Sequence, residues 1–265
     1  MLTSYHNHTT WSDGAPTLAA QIQAAKAAGL DELGISDHYV LYPGGEEVDW
    51  SLPLDMLGDY VLELRAAAHE VRGLTLRLGI EADFFPETIE DLRERLAPYP
   101  WDYVIGSVHY VDGFPIDENT RFWDALSPEE QNEKWRLYWV RIRQLAESGV
   151  FDFVAHPDLP KKFGHRPTVD LTAEITAALD AIAAADMAIE INTAGWSLPA
   201  GEAYPSLELL QAARAREIPL LINADAHFPE FLTRNFDRAR DLAREAGYTE
   251  LVRYQRRQRY PVPFD

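Results

Sequence analysis

The sequence predicts an α/β protein whose strands close into a barrel, with residues 1–265 forming a single domain. Three observations carry this expectation. Short β-type runs alternate with helical patterns along the chain, which implies a parallel sheet. Seven such units follow in series with no Gly/Ser-rich linker between them, and seven at this length favour a barrel over an open sheet. Apolar residues make up 46% of the chain, enough for a full core.

The elements follow in order. A first strand is expected at 2–5 and a first helix at 17–28, closed by Gly29, where a left-handed residue ends the turn. The second unit pairs strand 32–36 with helix 54–72, the third pairs 75–80 with 87–96, and the fourth strand is 102–106. Its helix, 128–147, has the clearest start in the chain. Ser127 caps, Pro128 fits the first turn, Glu130 completes a capping box, and Gly149 follows the end. Strands 151–154, 187–191 and 219–222 precede helices 173–184, 206–216 and 235–246. The basic run Arg253–Arg259 reads as a solvated tail or as a segment packed on the acidic body, not as a nucleic-acid contact.

Composition excludes several function classes. With no cysteine there is no disulfide framework, thiolate nucleophile or thiolate-bound cluster. A net charge of −19 repels phosphate backbones and anionic lipid, so neither nucleic acid nor membrane is expected as a partner. No apolar run approaches the roughly 18 residues of a membrane span. Residues 1–5 lead straight into His6-Asn7-His8 without the basic start and apolar stretch of a secretory signal, so a cytoplasmic protein is expected. The sequence leaves open whether the chain forms a homo-oligomer.

Six of the eight histidines fall at or just past the carboxyl end of a predicted strand: His6, His8, His38, His109, His156 and His227. Glu81 ends the third strand, and Asp13 and Asp225 stand close to the same ends. In a parallel barrel these positions converge on the face where active sites sit. His6-x-His8 and Asp225-x-His227 have period 2, so each pair points to one side of an extended chain. Imidazole and carboxylate donors without thiolate suit zinc, iron(II) or manganese. Nine donors exceed the need of one ion and predict two or three divalent metals. His69, mid-helix, and His165, in a loop, are read as ordinary polar residues. Asp37 is expected to orient a ligand histidine from behind. Glu190 and Asn192, ending the sixth strand, are expected to contact a substrate amine or to stabilise a loop.

The segment His6-Asn7-His8-Thr9-Thr10-Trp11-Ser12-Asp13-Gly14 resembles the first motif of the PHP (polymerase and histidinol phosphatase) superfamily. Ser36-Asp37-His38, Gly79-Ile80-Glu81, Gly106-Ser107-Val108-His109, His156-Pro157-Asp158 and Asp225-Ala226-His227 resemble its later motifs in order. Asp158–Gly164, Glu190–Gly195 and Tyr204-Pro205-Ser206 are most similar to the histidinol-phosphate phosphatase branch. The resemblance implies a distorted (β/α)7 barrel with a trinuclear site. One metal would take His6, His8, Glu81 and Asp225. A second would share Glu81 and take His109 and His156, and a third would take Asp13, His38 and His227.

The implied reaction is attack of a metal-activated hydroxide on the phosphorus of a phosphomonoester, with L-histidinol phosphate the leading substrate and a nucleotide or sugar phosphate the alternative. Asp13, Glu81, Asp225 and His227 are the expected catalytic residues, with a water on the third metal, Asp13 or His227 serving the leaving group. In the branch, an arginine usually grips the phosphate after the sixth strand, and here Ser197 stands in that place. Lys161, Lys162 and Arg166 are therefore the expected cationic contacts, beside Asn192 and Ser197.

Overall fold

The computed structural model describes residues 1–264. Its first half contains β1 (Thr3–Ser4), α1 (Leu18–Ala27), β2 (Glu32–Ile35), β3 (His38–Tyr39), α2 (Leu57–Glu70), β4 (Thr75–Asp83), α3 (Ile89–Leu96), β5 (Tyr103–Ser107), β6 (Tyr110–Val111), β7 (Phe114–Pro115) and α4 (Thr120–Asp124). The second half adds α5 (Pro128–Ser148), β8 (Phe153–Val154), α6 (Thr172–Ala184), β9 (Ala188–Asn192), α7 (Leu207–Arg214), β10 (Leu220–Asn223), α8 (Phe236–Glu245), β11 (Glu250–Gln255) and β12 (Gln258–Pro263). All seven expected strands and all seven expected helices are present. The predicted capping box forms, with Ser127 and Glu130 exchanging side chain-to-backbone bonds, and Gly149 ends α5 in the left-handed conformation.

The seven main strands run parallel in the order β1-β2-β4-β5-β8-β9-β10, with β3 extending the β2 position alongside β4. The barrel is nearly closed. Between β1 and β10 there is no ladder, only a parallel bridge at Asn7 and Ala226. His8 N–H donates to the Ala226 carbonyl at 3.0 Å, and Ala226 N–H donates to the His6 carbonyl at 3.2 Å. This seam matters for function, because it brings His6-x-His8 beside Asp225-x-His227.

Inward-facing positions change character along the barrel axis. At the amino end of the strands they are apolar: Tyr5, Tyr103, Ile105, Phe153, Ala188 and Leu221 form one buried cluster with Val252 and Tyr254 of β11. Two residues further along each strand they become polar: Glu81 and Asp83 on β4, Glu190 and Asn192 on β9, Asn223 on β10. Gly79 leaves room for the Tyr103 ring, which a Cβ would meet at 2.1 Å. Outward-facing strand residues such as Ile35, Leu78, Val104, Ile189 and Ile222 pack into a separate core beneath the helices.

The basic C-terminal run packs on the body. It forms the antiparallel hairpin β11–β12, whose Val252 and Tyr254 plug the amino end of the barrel. Its arginines meet acidic partners there: Arg253 with Glu32 at 3.3 Å, Arg257 with Asp152 at 2.5 Å, and Arg259 with Asp186 at 2.7 Å. Helix α4 and the β6–β7 hairpin were not expected from the sequence. Among the described residues, no helix is long and apolar enough to cross a membrane.

Candidate metal centre and active site

The nine predicted donors, on six different segments, meet at the carboxyl end of the barrel. Each has a local reason to be there. Gly14 lets the loop after β1 fold back on itself: a Cβ would lie 2.4 Å from the His8 carbonyl carbon. Asp37 accepts from Thr9 N–H at 2.7 Å and from the Ser12 hydroxyl at 2.7 Å, which fixes the loop carrying His8 and Asp13. Asp37 thus holds that loop, and its hydrogen bonds go to Thr9 and Ser12 instead of to a histidine. His156 and Asp225 turn the chain sharply at their strand ends with φ of 27° and 53°. Such left-handed backbone in non-glycine residues costs energy and concentrates at functional sites.

The donor atoms fall into groups. His6 Nε2 lies 3.0 Å from Glu81 Oε2 and 3.6 Å from Asp225 Oδ1, while His8 Nε2 lies 3.2 Å from Asp225 Oδ1 and 3.6 Å from Glu81 Oε2. The other oxygen of Glu81, Oε1, is 3.0 Å from His156 Nε2 and 3.8 Å from His109 Nε2. Asp13 Oδ1 is 3.2 Å from His227 Nε2 and 3.7 Å from His38 Nε2. His38 also brings Nδ1 to 2.8 Å from Glu81 Oε2. Four buried atoms of the first group, His6 Nε2, His8 Nε2, Glu81 Oε2 and Asp225 Oδ1, have no hydrogen-bond partner despite these short distances. They are aimed at a shared point and not at one another. Buried polar atoms without partners are costly, and a cation at that point would satisfy all four. Every one of the nine donors belongs to a set of three or more whose ligand atoms lie within 4.8 Å of one another.

A second ring of residues orients these donors. Glu190, fully buried, accepts from His6 Nδ1 at 3.0 Å, from the His156 backbone N–H at 2.9 Å, and from the amides of Asn192 and Asn223. Asp83 accepts from His109 Nδ1 at 2.6 Å and from the Ser107 hydroxyl. Each bond leaves the Nε2 lone pair of its imidazole facing the cluster. Asp83 was missed from sequence, although its period-2 spacing from Glu81 put both on one face of β4.

Charge in the site is finely divided. Burial disfavours ionisation of Glu81, but His6, His38 and His156 beside it hold it well below the usual carboxylate range. Burial likewise opposes charge on His6, and Glu81, Glu190 and Asp225 outweigh it and raise the imidazole. His109 is pushed up to about 10 against its burial by Asp83 and Asp117, and His227 to about 9 by Asp13 and Asp225. His8, buried among His227 and His38, falls to about 3. The carboxylates thus draw positive charge onto neighbouring imidazoles, the demand that a bound cation meets.

A cavity of about 590 Å³ opens above the donors, within the range of small-molecule sites. Asp13, His38, His109, His156, Asp225 and His227 line its base, and Trp50, Tyr110, Asp117, Glu118, Tyr204 and Phe228 its walls. Of the expected substrate contacts, Lys162 and Ser197 line it. Lys161 is buried outside the lining, paired with Asp158 at 2.8 Å, and Arg166 is paired with Glu202 at 2.6 Å. Asn192 is buried beneath the cluster, donating to Glu190 and Asp225. His69 is exposed on α2, and His165 stacks on Trp123, both apart from the cluster. Arg234, which lines the cavity from the loop after β10, carries no signal of this in the sequence.

Comparison with known proteins finds relatives along most of the chain. The PHP domain family model matches residues 4–194. A Deinococcus radiodurans protein named "Probable histidinol-phosphatase" is 38% identical over 238 residues, covering 89% of this chain and 90% of that one. A Lactococcus lactis histidinol-phosphatase is 24% identical over 258 residues, covering 94% and 93%. Among solved structures, a Lactococcus lactis histidinol phosphate phosphatase complexed with zinc, L-histidinol and phosphate superposes with a TM-score of 0.80 at 22% identity, covering 98% of both chains. With its family model spanning most of the sequence, the chain belongs to the PHP domain family.

Proposed function

We propose that this chain is a metal-dependent phosphomonoesterase that hydrolyses L-histidinol phosphate to L-histidinol and phosphate. The observation that carries the reading is the set of buried, partnerless donor atoms at the base of a substrate-sized cavity. The 38% identity to a protein named as a histidinol-phosphatase supports the choice of substrate. His6, His8, Glu81 and Asp225 would hold one cation, Glu81 with His109 and His156 a second, and Asp13, His38 and His227 a third. Zinc, iron(II) and manganese all suit these donors.

Bound divalent cations supply Lewis acidity toward water and toward phosphoryl oxygens. The chain's own residues do the rest. Glu190 and Asp83 fix the tautomers of His6 and His109. Glu81 divides its two oxygens between two donor groups and so sets their spacing. Were only the first two cations held, Asp13 and His227, with Oδ1 3.2 Å from Nε2 at the cavity wall, would be free to hold a proton for the leaving alkoxide; that proton would give way to a third cation bound there. Glu118, with the rings of Trp50 and Tyr110, offers a carboxylate and aromatic faces to a substrate that carries an amine and an imidazole. The proposal includes a cytoplasmic place in histidine biosynthesis.

Ser197 on the cavity wall, where the branch expectation is arginine, favours one second reading: a phosphomonoester such as a nucleotide or sugar phosphate. A phosphate-release panel across histidinol phosphate, nucleotides and sugar phosphates separates the two. The proposal expects histidinol phosphate to lead in kcat/KM, and a nucleotide or sugar phosphate in first place would overturn it.

A further inference from the structure

A phosphate held by cations still turns oxygens outward, and these need donors from the chain. Among the described residues lining the cavity, only Lys162 and Arg234 are cationic apart from the histidines. Lys162 is already neutralised, with Nζ 3.0 Å from Asp117 Oδ2 and 2.7 Å from the Asp117 carbonyl. Arg234 pairs with no carboxylate among the described residues, although acidic residues outnumber basic ones 43 to 24 in this chain. Its one side-chain hydrogen bond among them runs from Nη2 to the Ala224 carbonyl, 2.8 Å, one residue before Asp225. The Phe231 ring lies 4.6 Å from its guanidinium carbon. These contacts fix a half-buried guanidinium at the edge of the donor cluster and leave its buried Nε without a partner. A second unsatisfied group, the buried Tyr204 hydroxyl, belongs to the lining of the same cavity.

We propose that Arg234 binds the substrate phosphate, supplying from the loop between β10 and α8 the grip that Ser197 does not provide after β9. The inference rests on the phosphomonoesterase reading above. A guanidinium offers two parallel N–H donors to two oxygens of one phosphate, which the point charge of a lysine does not. Burial pulls the Arg234 guanidinium below its usual range, and nearby Asp225 offsets only part of this. Among the described residues no carboxylate pairs with it, which leaves the guanidinium able to meet an incoming dianion.

Binding of inorganic phosphate to the metal-loaded protein, followed by calorimetry, tests the assignment. Arg234→Gln keeps a donor for the Ala224 carbonyl and removes the charge. It should weaken phosphate binding roughly 10- to 150-fold, the range for a hydrogen bond to a charged group. Metal content by elemental analysis should stay at the parent value, and Arg234→Lys should recover part of the loss. Affinity within twofold of the parent at equal metal content would overturn the inference. So would a loss of affinity that simply follows lost metal. A parent that binds phosphate through Arg234 yet releases none from any monoester upholds this inference and defeats the phosphatase reading, which keeps the two failures distinguishable.

Discussion

Glu81 has more at stake than any other side chain in the site. It is fully buried, and it faces His6 and His38 with one oxygen and His156 with the other. Glu81→Ala should therefore cost more activity than the roughly 10- to 100-fold expected for an outer partner, and lower metal content with it. The far-ultraviolet circular dichroism should be kept, since the packing cores lie elsewhere. Turnover within tenfold of the parent would contradict the bridging role. Asp83→Asn is the milder case: His109 keeps a partner but loses the negative charge behind it. Metal affinity, read by competition with a chromogenic chelator, should fall about 10- to 100-fold. The nine donors were legible from sequence because strand ends and period-2 spacing announce them. Asp83 and Arg234 were not, and Glu190 was read as a substrate or loop contact when it holds His6 and the His156 backbone, because each acts through contacts that only the folded barrel creates.

At the level of elements, the C-terminal hairpin was the least legible part of the fold. Its turn falls at Arg256 and Arg257, both with positive φ of 52° and 62°. Two-residue hairpin turns of this kind favour Asn-Gly or Asp-Gly, so two arginines gave no turn signal. Pro261 and Pro263 further weakened the strand pattern. Tertiary contacts compensate: Asp102 accepts from the backbone N–H groups of both turn residues. The hairpin closes the barrel through Tyr254, which stacks on Phe153 and donates to the Asp152 carbonyl at 3.0 Å. Tyr254→Ala should lower unfolding free energy by about 3–5 kcal/mol in urea titration, as for other large buried aromatics. Because the cavity lies at the other end of the strands, kcat at a permissive temperature should stay within about threefold. A variant as stable as the parent would show that the hairpin is not a plug.

The whole molecule combines a strong negative charge with a centre that demands cations. The net charge of −19 was readable at once. The near-closed barrel was readable from the unit count, but not the seam between β1 and β10 where the donors meet. Because cations bind the folded centre and not the unfolded chain, loading should stabilise the protein. At a free concentration about 100 times Kd, one site adds about 2.7 kcal/mol, equivalent to roughly 5–10 °C in Tm for a chain of this size. Differential scanning calorimetry before and after chelation checks this, and an unchanged Tm would mean that no cation binds the native centre.

Whether the barrel works as the proposed multinuclear, metal-dependent phosphatase is decided by one titration. Metal-free protein is titrated with zinc or manganese while phosphate release from L-histidinol phosphate is followed and bound metal is counted. The account predicts negligible release without metal and a rise that levels off only between two and three equivalents per chain. Full turnover at or below one equivalent, or turnover that survives complete chelation, would contradict it.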